Sequence, residues 1–424
     1  MSIATESLAT PIYHPEIATT AKRELRVLQI FSGLGMGGAE TWLMSLLKYF
    51  QEHSADLQVS VKFDVLLTGD EKAIFDDEAK ALGARLFYLR FGRRNLIGFV
   101  KEFRRILAQG NYDAIHDHQD YIAGLHFFAG AGLLPPARIA HVHNPLLHIA
   151  NYVTDPLRKL TSKTGKRLLK YFASDIMGTS VQVLREYGFQ REGYPGTNMG
   201  AAHCGFDVTR YQGNYEETHA ELCTELGWNK SSKVLLFVGR LEGTEGLHMG
   251  RSMTHKNPEF ALDIARESIA KDDRIRLVMV GAGEGKRRWF EEKVSTWGLS
   301  NKISLLGERS DVPRLMLGSD LLLFPSLAEG LGMVAVEAQA AGLRVIASDT
   351  TPRECVVVPD LIAFCSLNAT ATYWAEQSLR LINAPRPDSH SSNLAVSKSP
   401  FSVVNSAGLL LQLYGANATS RTKH

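Results

Sequence analysis

The sequence predicts an α/β protein made of two Rossmann-like, doubly wound domains. Short apolar runs typical of buried strands alternate with amphipathic helical patterns along most of the chain, which favours parallel sheets with helices on both faces. Glycine-rich loops join several of these strands to the following helix, as in Ser32–Gly38 and Gly281–Glu284. The length of 424 residues is sufficient for two cores of ordinary domain size.

The composition is that of a globular protein, with 45% hydrophobic and 22% charged residues. The net charge of +2 gives no indication of a nucleic-acid partner. No apolar run reaches the roughly 18 residues that a membrane span needs and no signal peptide precedes the first strand, so we expect a cytoplasmic protein. Four cysteines without metal-ligand spacing are expected to be reduced thiols: Cys204, Cys223, Cys355 and Cys365.

The first domain is predicted over residues 24–207, after a polar tail of residues 1–23 that we expect to be disordered. It opens with the strand Arg26–Phe31, the glycine loop and a helix from Ala39. Glycines allow backbone N–H groups to approach ligand oxygens closely, so this loop is a candidate phosphate cradle. The signal is weak by itself, because the loop has the spacing of neither a P-loop nor a dinucleotide fingerprint. Further strands are predicted at Phe63–Leu67, Arg85–Leu89, Ala114–His116 and Asp175–Ser180.

Two H-x-H pairs lie at predicted strand ends, His116 with His118 and His141 with His143. Residues i and i+2 of a strand share a face, so each pair has the spacing of a chelating pair. No second-shell carboxylate pattern accompanies both pairs, and we therefore favour histidines that line a polar pocket without a metal.

Two basic segments with interleaved apolar residues, Arg90–Leu107 and Leu157–Phe172, fall in the first domain. Such a pattern is typical of a solvated helix face, but it also fits adsorption to an anionic lipid surface. The sequence leaves both interpretations open.

The second domain is predicted over residues 208–385, beginning with the strand Lys233–Val238 and the turn Gly239-Arg240-Leu241. Its centre is Asp320–Asp349, a strand–loop–helix–strand unit with Glu329 in the loop and Glu337 in the helix. Ligands bind such units at the carboxyl ends of strands and at helix N-termini. Glu337 lies among apolar and small residues, where a carboxylate is costly unless something pairs with it.

The C-terminal part is predicted to hold a mobile Ser/Pro-rich linker over residues 386–400 and a helix over residues 401–416.

The spacing of Glu329 and Glu337 resembles the E-x7-E element of the retaining glycosyltransferases of family four. Their GT-B fold has two Rossmann-like domains facing a central cleft. The run Ser348–Glu354 resembles the S-D-T-x-P-x-E run of bacterial exopolysaccharide and capsule transferases, and Gly37–Glu40 resembles the end of the family's first loop. His203–Asp207 resembles the segment between the domains, with Cys204 in place of the usual Asn.

The resemblance implies a set of site residues. Glu337 would hold the ribose hydroxyls, and Arg240 and Lys256 would bind the donor diphosphate. Because the loop Glu242–Thr254 is longer than usual, Arg251 is an alternative to Lys256. The implied catalytic residues are His143, Glu329, Arg240 and Lys256. The implied donor-binding residues are Gly37, Gly38, Arg240, Lys256, Gly283, Glu308, Glu329, Gly330, Leu331, Gly332, Met333 and Glu337. The implied acceptor-binding residues are His116, His118 and Glu40.

The implied activity is transfer of a sugar, with retention, from a nucleotide diphosphate sugar, expected to be a UDP-sugar. The acceptor would be a hydroxyl of a lipid-linked or polysaccharide precursor, and neither a cofactor nor a metal would be required. The resemblance implies a cytoplasmic protein. We further expect it to bind peripherally to an anionic membrane surface, the inner face of the plasma membrane. The alternative is a nucleotide-binding regulatory or scaffold protein of polysaccharide assembly without transfer activity. Such a descendant is expected to have lost Arg240, His143 or Glu329, and all three are present.

Overall fold

The structure, a computed structural model, describes residues 23–57, 59–69, 71–147, 153, 155–190, 193–194, 196–241 and 255–416. The strands in these ranges are β1 Arg23–Phe31, β2 Val59–Leu67, β3 Arg85–Tyr88, β4 Ala114–Asp117, β5 Ala137–Val142, β6 Asp175–Gly178, β7 Asn198–Ala201, β8 Lys233–Val238, β9 Ile275–Val280, β10 Ile303–Gly307, β11 Leu321–Phe324, β12 Arg344–Ser348 and β13 Ile362–Cys365.

The α-helices in the same ranges are α1 Gly38–Glu52, α2 Asp76–Ala81, α3 Leu96–Gly110, α4 Ala123–Ala129, α5 Pro156–Phe172, α6 Val181–Glu186, α7 Tyr215–Glu225, α8 Pro258–Lys271, α9 Glu284–Thr296, α10 Val312–Leu317, α11 Met333–Ala340, α12 Ala371–Asn383, α13 Ser389–Lys398 and α14 Val403–Ala416. Short 3-10 helices cover Asp120–Ile122, Val208–Tyr211, Arg353–Cys355 and Pro359–Leu361.

The strands form two parallel sheets, with the order β3-β2-β1-β4-β5-β6-β7 in the first and β10-β9-β8-β11-β12-β13 in the second. Each sheet has hydrophobic clusters on both of its faces, because its central strands are apolar at successive positions. The prediction of two doubly wound domains is confirmed.

The predicted linker over residues 386–400 is wrong, because most of it is the helix α13. Asp388 caps this helix by accepting hydrogen bonds from the N–H groups of His390 and Ser391. Asn393 then donates to the carbonyls of Val208 and Ala340, each at 3.0 Å, which fixes α13 against α11. The serine-rich composition is that of a polar helix with one short buried face.

The last helix, α14, packs on the first domain although it follows the second in sequence. The chain crosses back where the Phe206 N–H donates to the Phe401 carbonyl and the Val403 N–H donates to the Phe206 carbonyl. Ala407, Leu410 and Tyr414 then join the core between the first sheet and α1.

Some predictions fall on residues outside the described ranges. These are the tail up to residue 22, the insertion 242–254 and, with it, Arg251. Among the helices that the structure does describe, none combines the length and the apolar composition needed to cross a membrane.

Candidate active site

The candidate residues gather where the strand order reverses in each sheet, between β1 and β4 and between β8 and β11. In open parallel sheets this is where loops diverge and leave a crevice for ligands. The loops of the two domains meet across the cleft at Gly330, since a Cβ there would lie 2.1 Å from the His143 carbonyl oxygen. The Ser180 hydroxyl also donates to the Gly330 carbonyl at 2.5 Å. Glycine is therefore required at this contact.

A second contact between the domains involves the last residue of the Ser348–Glu354 run. The Glu354 carboxylate accepts the N–H groups of Val181 and Gln182 at 2.9 and 3.1 Å, at the start of α6 in the other domain. Within the same run, the hydroxyls of Ser348 and Thr350 both donate to the Ser326 carbonyl. The run thus supports the loop after β11 and joins it to the first domain.

The second-domain side of the cleft carries a buried ion pair. The Lys256 ammonium lies 2.8 and 3.0 Å from the two Glu329 carboxylate oxygens, and Glu329 is only 6% exposed. A carboxylate so buried needs a partner of opposite charge. Lys256 also lies close enough to Glu337 to lower the pKa of that carboxyl. One lysine therefore serves both carboxylates of the E-x7-E spacing.

Glu337 is half-buried on α11, one turn after the positive-φ residue Gly332. Burial raises the pKa of Glu337, while a hydrogen bond from Tyr211 and the charges of Lys256 and Arg210 oppose that rise. Tyr211 and Arg210 come from the 3-10 helix that follows the His203–Asp207 segment. No sequence pattern indicates either residue, because their proximity to Glu337 depends on how the two domains are joined.

Arg240 is exposed at the end of β8. It faces Glu40 of the first domain: burial raises the pKa of Glu40, and the charge of Arg240 opposes this rise. Beside Arg240, a Cβ on Gly281 would lie 2.0 Å from the Gly239 carbonyl oxygen, so the turns after β8 and β9 pack backbone to backbone. Gly283, in the second of these turns, begins α9, and Glu308 is exposed after β10. The predicted donor-binding residues of this domain thus lie at the carboxyl ends of neighbouring strands.

Two residues of the predicted donor loop have apolar contacts. The Leu331 side chain is 3% exposed and belongs to the second-domain core, so only its backbone can face a ligand. Met333 is half-buried and packs against cores of both domains. For these two positions the structure supports a packing role of the side chain.

On the first-domain side, Gly37 is the N-cap of α1 and Gly38 its first residue. The Glu40 carboxylate folds back over this turn, since a Cβ on Gly37 would lie 2.2 Å from Glu40 Oε2. The loop therefore has the predicted open backbone. Its helix N-terminus already faces a carboxylate, which an incoming phosphate would have to displace.

That His116 and His118 contact an acceptor stays a prediction, which the arrangement observed does not favour. With His141 and His143 they form a cluster, here called the histidine cluster, at the ends of β4 and β5. His116 and His118 are 1% and 8% exposed, and both ring nitrogens of each are hydrogen-bonded within the protein. Burial, aided by neighbouring histidines, holds the pKa of His116, His118 and His141 well below the usual value. The cluster is therefore neutral.

The cluster consists of two hydrogen-bonded pairs stacked on each other. His116 Nε2 lies 3.1 Å from His141 Nδ1, and His118 Nδ1 lies 2.8 Å from His143 Nε2. The rings of the two pairs stack with centroids 4.1 Å apart. Each separation fits an N–H···N hydrogen bond. Ring nitrogens of His116, His118 and His141 also lie within 4.8 Å of one another, which is close enough for a metal ion in place of the shared protons.

His143 is half-buried at the edge of the cleft. Burial lowers its pKa to about 3, and its ring nitrogens face His118 and the Cys204 thiol. Its main-chain N–H donates to the buried Asp120 carboxylate at 2.8 Å, and its carbonyl lies against Gly330. The catalytic role of His143 stays a prediction, and the geometry favours a contribution from its backbone over proton transfer by its ring.

Comparison with known proteins identifies the family of the chain. The family described as "Glycosyl transferases group 1" matches residues 220–394, and "Glycosyltransferase Family 4" matches residues 36–210. The glycosyltransferase EpsF of Bacillus subtilis is 27% identical over 393 residues, covering 92% of this chain and 96% of that protein. A UDP-Gal:alpha-D-GlcNAc-diphosphoundecaprenol alpha-1,3-galactosyltransferase of Escherichia coli is 24% identical and covers 77% of this chain and 82% of its own length.

Among solved structures, Anabaena Alr3699/HepE in complex with UDP superimposes with a TM-score of 0.71 at 17% identity, covering 92% of this chain and all of that one. At this identity the likeness establishes the fold, which is GT-B. The named relatives are transferases and give no support to the non-catalytic alternative. The two family matches together cover both domains, and the chain therefore belongs to the retaining glycosyltransferases of family four.

Proposed function

We propose that this glycosyltransferase uses a UDP-sugar as donor and a lipid-linked or polysaccharide precursor as acceptor. The observation that carries the donor proposal is the placement of Arg240, Lys256 and Glu337 at the ends of β8 and β11. Two cations beside a half-buried carboxylate match a nucleoside diphosphate, whose phosphates need cations and whose ribose hydroxyls need an acceptor. UDP and a UDP-sugar in the names of the Anabaena and Escherichia coli proteins support the choice of base.

In the proposed reaction, the bond between the sugar and the diphosphate breaks and negative charge develops on the leaving UDP. Arg240 and Lys256 are positioned to stabilise that charge, which is the largest electrostatic demand of the reaction. Glu329 holds Lys256 in place through the buried ion pair. The acceptor hydroxyl adds to the same face of the sugar, as retention requires.

The same residues lead us to propose that donor binding needs no metal. Arg240 and Lys256 each bring a positive charge to the diphosphate. In many other enzymes that bind nucleotide phosphates, a magnesium ion neutralises the phosphate charge instead. Turnover in excess EDTA should equal turnover in magnesium buffer. A loss that added magnesium restores would contradict this part of the proposal.

We place the acceptor in the interdomain cavity next to Glu329, of about 550 Å³. Its walls are Leu146, Leu147, Gln182, Glu186, Leu327, Ala328, Glu329 and Thr350. None of the described residues that line it is cationic, so a neutral sugar fits it better than a phosphate, because sugar hydroxyls pair with carboxylate, amide and hydroxyl groups. This location replaces the one predicted at His116 and His118.

The surface that would meet a lipid-linked acceptor lies at the starts of α3 and α5. Leu96, Ile97, Leu157 and Leu160 are 47–87% exposed there. Arg93 is close enough to Asp155, the N-cap of α5, to lower the pKa of that carboxyl, so the two helix starts are neighbours. Exposed cations of α5 add positive charge, among them Lys159, Lys163, Arg167 and Lys170. We propose reversible adsorption of this surface to an anionic leaflet, with each cation contributing on the order of 1 kcal/mol.

The donor proposal is tested by incubating the purified protein with UDP-, GDP- and dTDP-sugars and measuring release of the free nucleotide. Release from a UDP-sugar alone is expected, and release only from another base would contradict the choice of UDP.

The membrane proposal is tested by flotation with vesicles. Binding to anionic vesicles is expected at low salt, with little binding to neutral ones and a steep loss as salt screens the charges. A variant with Lys159, Lys163 and Arg167 changed to Glu should not float, whereas charge reversal at Arg288, on the exposed face of α9, should have no effect. Failure of the unaltered protein to float with anionic vesicles would mean that α3 and α5 are merely solvated.

A further inference from the structure

The histidine cluster is anchored by two residues that the donor and acceptor sites do not use, Gln29 of β1 and Tyr414 of α14. Both are fully buried, at 1% and 0% exposed. The Gln29 amide nitrogen donates to the Tyr414 hydroxyl oxygen at 3.0 Å, and its amide oxygen lies 2.8 Å from His118 Nε2. Gln29 therefore stands between two chains of hydrogen bonds, and its orientation decides where the protons lie in both.

The first chain runs from Tyr414 to His141. Because the Tyr414 oxygen accepts from Gln29, its own proton is free to donate to His116 Nδ1, 2.8 Å away. His116 then carries its proton on Nε2 and donates to His141 Nδ1. This leaves the His141 proton on Nε2. Burial lowers the pKa of His141, and its buried Nε2 has no hydrogen-bond partner among the described residues.

The second chain runs from Gln29 to the cleft. An amide oxygen only accepts, so His118 carries its proton on Nε2 and its Nδ1 accepts from His143 Nε2–H. His143 Nδ1 is then a bare acceptor facing the Cys204 thiol at 3.9 Å. One amide orientation thus assigns the same tautomer, Nε2–H, to all four histidines.

Turning the Gln29 amide over allows every hydrogen bond in both chains to reverse, because each ring nitrogen would then change between donor and acceptor. A single misplaced proton would set two N–H groups or two lone pairs against each other at 2.8–3.1 Å. Trp42 packs against all four rings, with centroids 5.4–6.5 Å apart, and its indole N–H donates to the Ser406 hydroxyl of α14. The strain would be relieved at His143, the half-buried member of the cluster.

We propose that Gln29, held by Tyr414, is a positioning residue for sugar transfer: it fixes the tautomers of the histidine cluster and thereby the place of His143 against the donor loop. The His143 carbonyl lies against Gly330, the neighbour of Glu329, so displacement of His143 moves the loop that carries the buried ion pair. The C-terminal helix is then part of the active-site structure, since it supplies both Tyr414 and Ser406. The kinetic consequence rests on the proposed donor reaction, whereas the tautomer order does not.

The test is imidazole ¹⁵N NMR of protein labelled at histidine, with resonances assigned by single His→Gln substitutions. In the unaltered protein we expect Nε2–H at all four cluster positions. Tyr414→Phe removes the donor to His116 and the acceptor for Gln29 while keeping the ring, and it should give mixed tautomers at His118 and His143. Gln29→Met, which removes both amide groups, should do the same. Tyr373→Phe, at a half-exposed tyrosine of the second domain, is the matched control and should change nothing.

Kinetics on the same variants complete the test. Tyr414→Phe should lower kcat on the order of tenfold, because the displaced donor loop no longer holds the Glu329–Lys256 pair in place. A His143 proton on Nδ1 in the unaltered protein, or unchanged tautomers in both variants, would overturn the proposal. Mixed tautomers with unchanged kcat would also overturn it, because the cluster would then be structural only. Absence of turnover with every UDP-sugar would refute the proposed donor, and the NMR pattern would still decide the tautomer order.

Discussion

The two faces of the cleft handle buried polar groups in opposite ways. The second-domain face keeps its charges and pairs them, with Lys256 placed between Glu329 and Glu337. The first-domain face carries four imidazoles that burial keeps neutral and that share protons among themselves. In the proposed reaction the second domain supplies the cations that stabilise the leaving group, while the histidines of the first domain add no charge.

The largest expected effect concerns the exposed cation on the charged face. Arg240→Ala should lower turnover about 100- to 1,000-fold, the range seen when one preorganised group that stabilises transition-state charge is removed. The free energy of unfolding should change little, because Arg240 is exposed. Steady-state kinetics and urea unfolding measure the two effects, with Arg288→Ala as the control. Equal turnover in the two variants would remove Arg240 from the reaction.

The buried ion pair should dominate the stability of the charged face. Lys256→Met leaves Glu329 buried and uncompensated, which should lower the free energy of unfolding by about 3 kcal/mol. Changing both residues, Lys256→Met with Glu329→Gln, should restore most of this loss, because no charge is then left buried. Lys271→Met, which breaks an exposed pair with Glu376, should cost less than about 1 kcal/mol. A double variant no more stable than Lys256→Met would contradict this account.

Glu337→Ala should weaken UDP binding by about 1.5–3 kcal/mol, the value of a hydrogen bond to a charged group. Tyr211→Phe should have a smaller effect, since it removes only the hydrogen bond that orients the carboxylate. Calorimetric titration with UDP measures both. Unchanged affinity of a folded Glu337→Ala variant would mean that this carboxylate does not hold the ribose.

The neutral face should be recognised by the pH dependence of its stability. A histidine whose folded pKa is depressed takes up its proton only on unfolding, so stability falls as pH drops below about 6.5. Because the pKa of His143 is lowered to about 3, its contribution to the free energy of unfolding should fall by about 2 kcal/mol between pH 7 and pH 5. The other three histidines should lower the free energy of unfolding in the same direction.

Asp120 opposes this trend, because burial raises its pKa to about 6 and its protonation below that pH favours the folded state by about 1 kcal/mol. Urea midpoints at pH 5 and 7 should therefore show a net loss at pH 5, with a shallower slope in His143→Gln. A midpoint that rises at pH 5 would mean that the cluster is charged.

The sequence was sufficient for features that depend on local pattern. The central strands are continuous apolar runs, and the spacing of Glu329 and Glu337 fixed the centre of the charged face. The sequence was insufficient where long-range packing determines whether a strand forms or a side chain is buried. The edge strand β7, Asn198–Ala201, has no β-branched residue and forms because β6 offers it hydrogen bonds. The H-x-H spacing is equally compatible with a ligand-facing pair and with a buried one. The contact of His116 with Tyr414, 298 residues later in the chain, shows that this pair is buried.

The central claim, that the second-domain face alone carries the charge that binds the donor diphosphate, is tested most directly by calorimetric titration of UDP into two variants. Arg240→Ala should bind UDP about 10- to 100-fold more weakly than the unaltered protein. His143→Gln, a neutral substitution on the opposite face, should bind within about twofold of it, because a neutral imidazole adds little to the affinity for an anion. The reverse result, with UDP affinity lost in His143→Gln and kept in Arg240→Ala, would contradict the account.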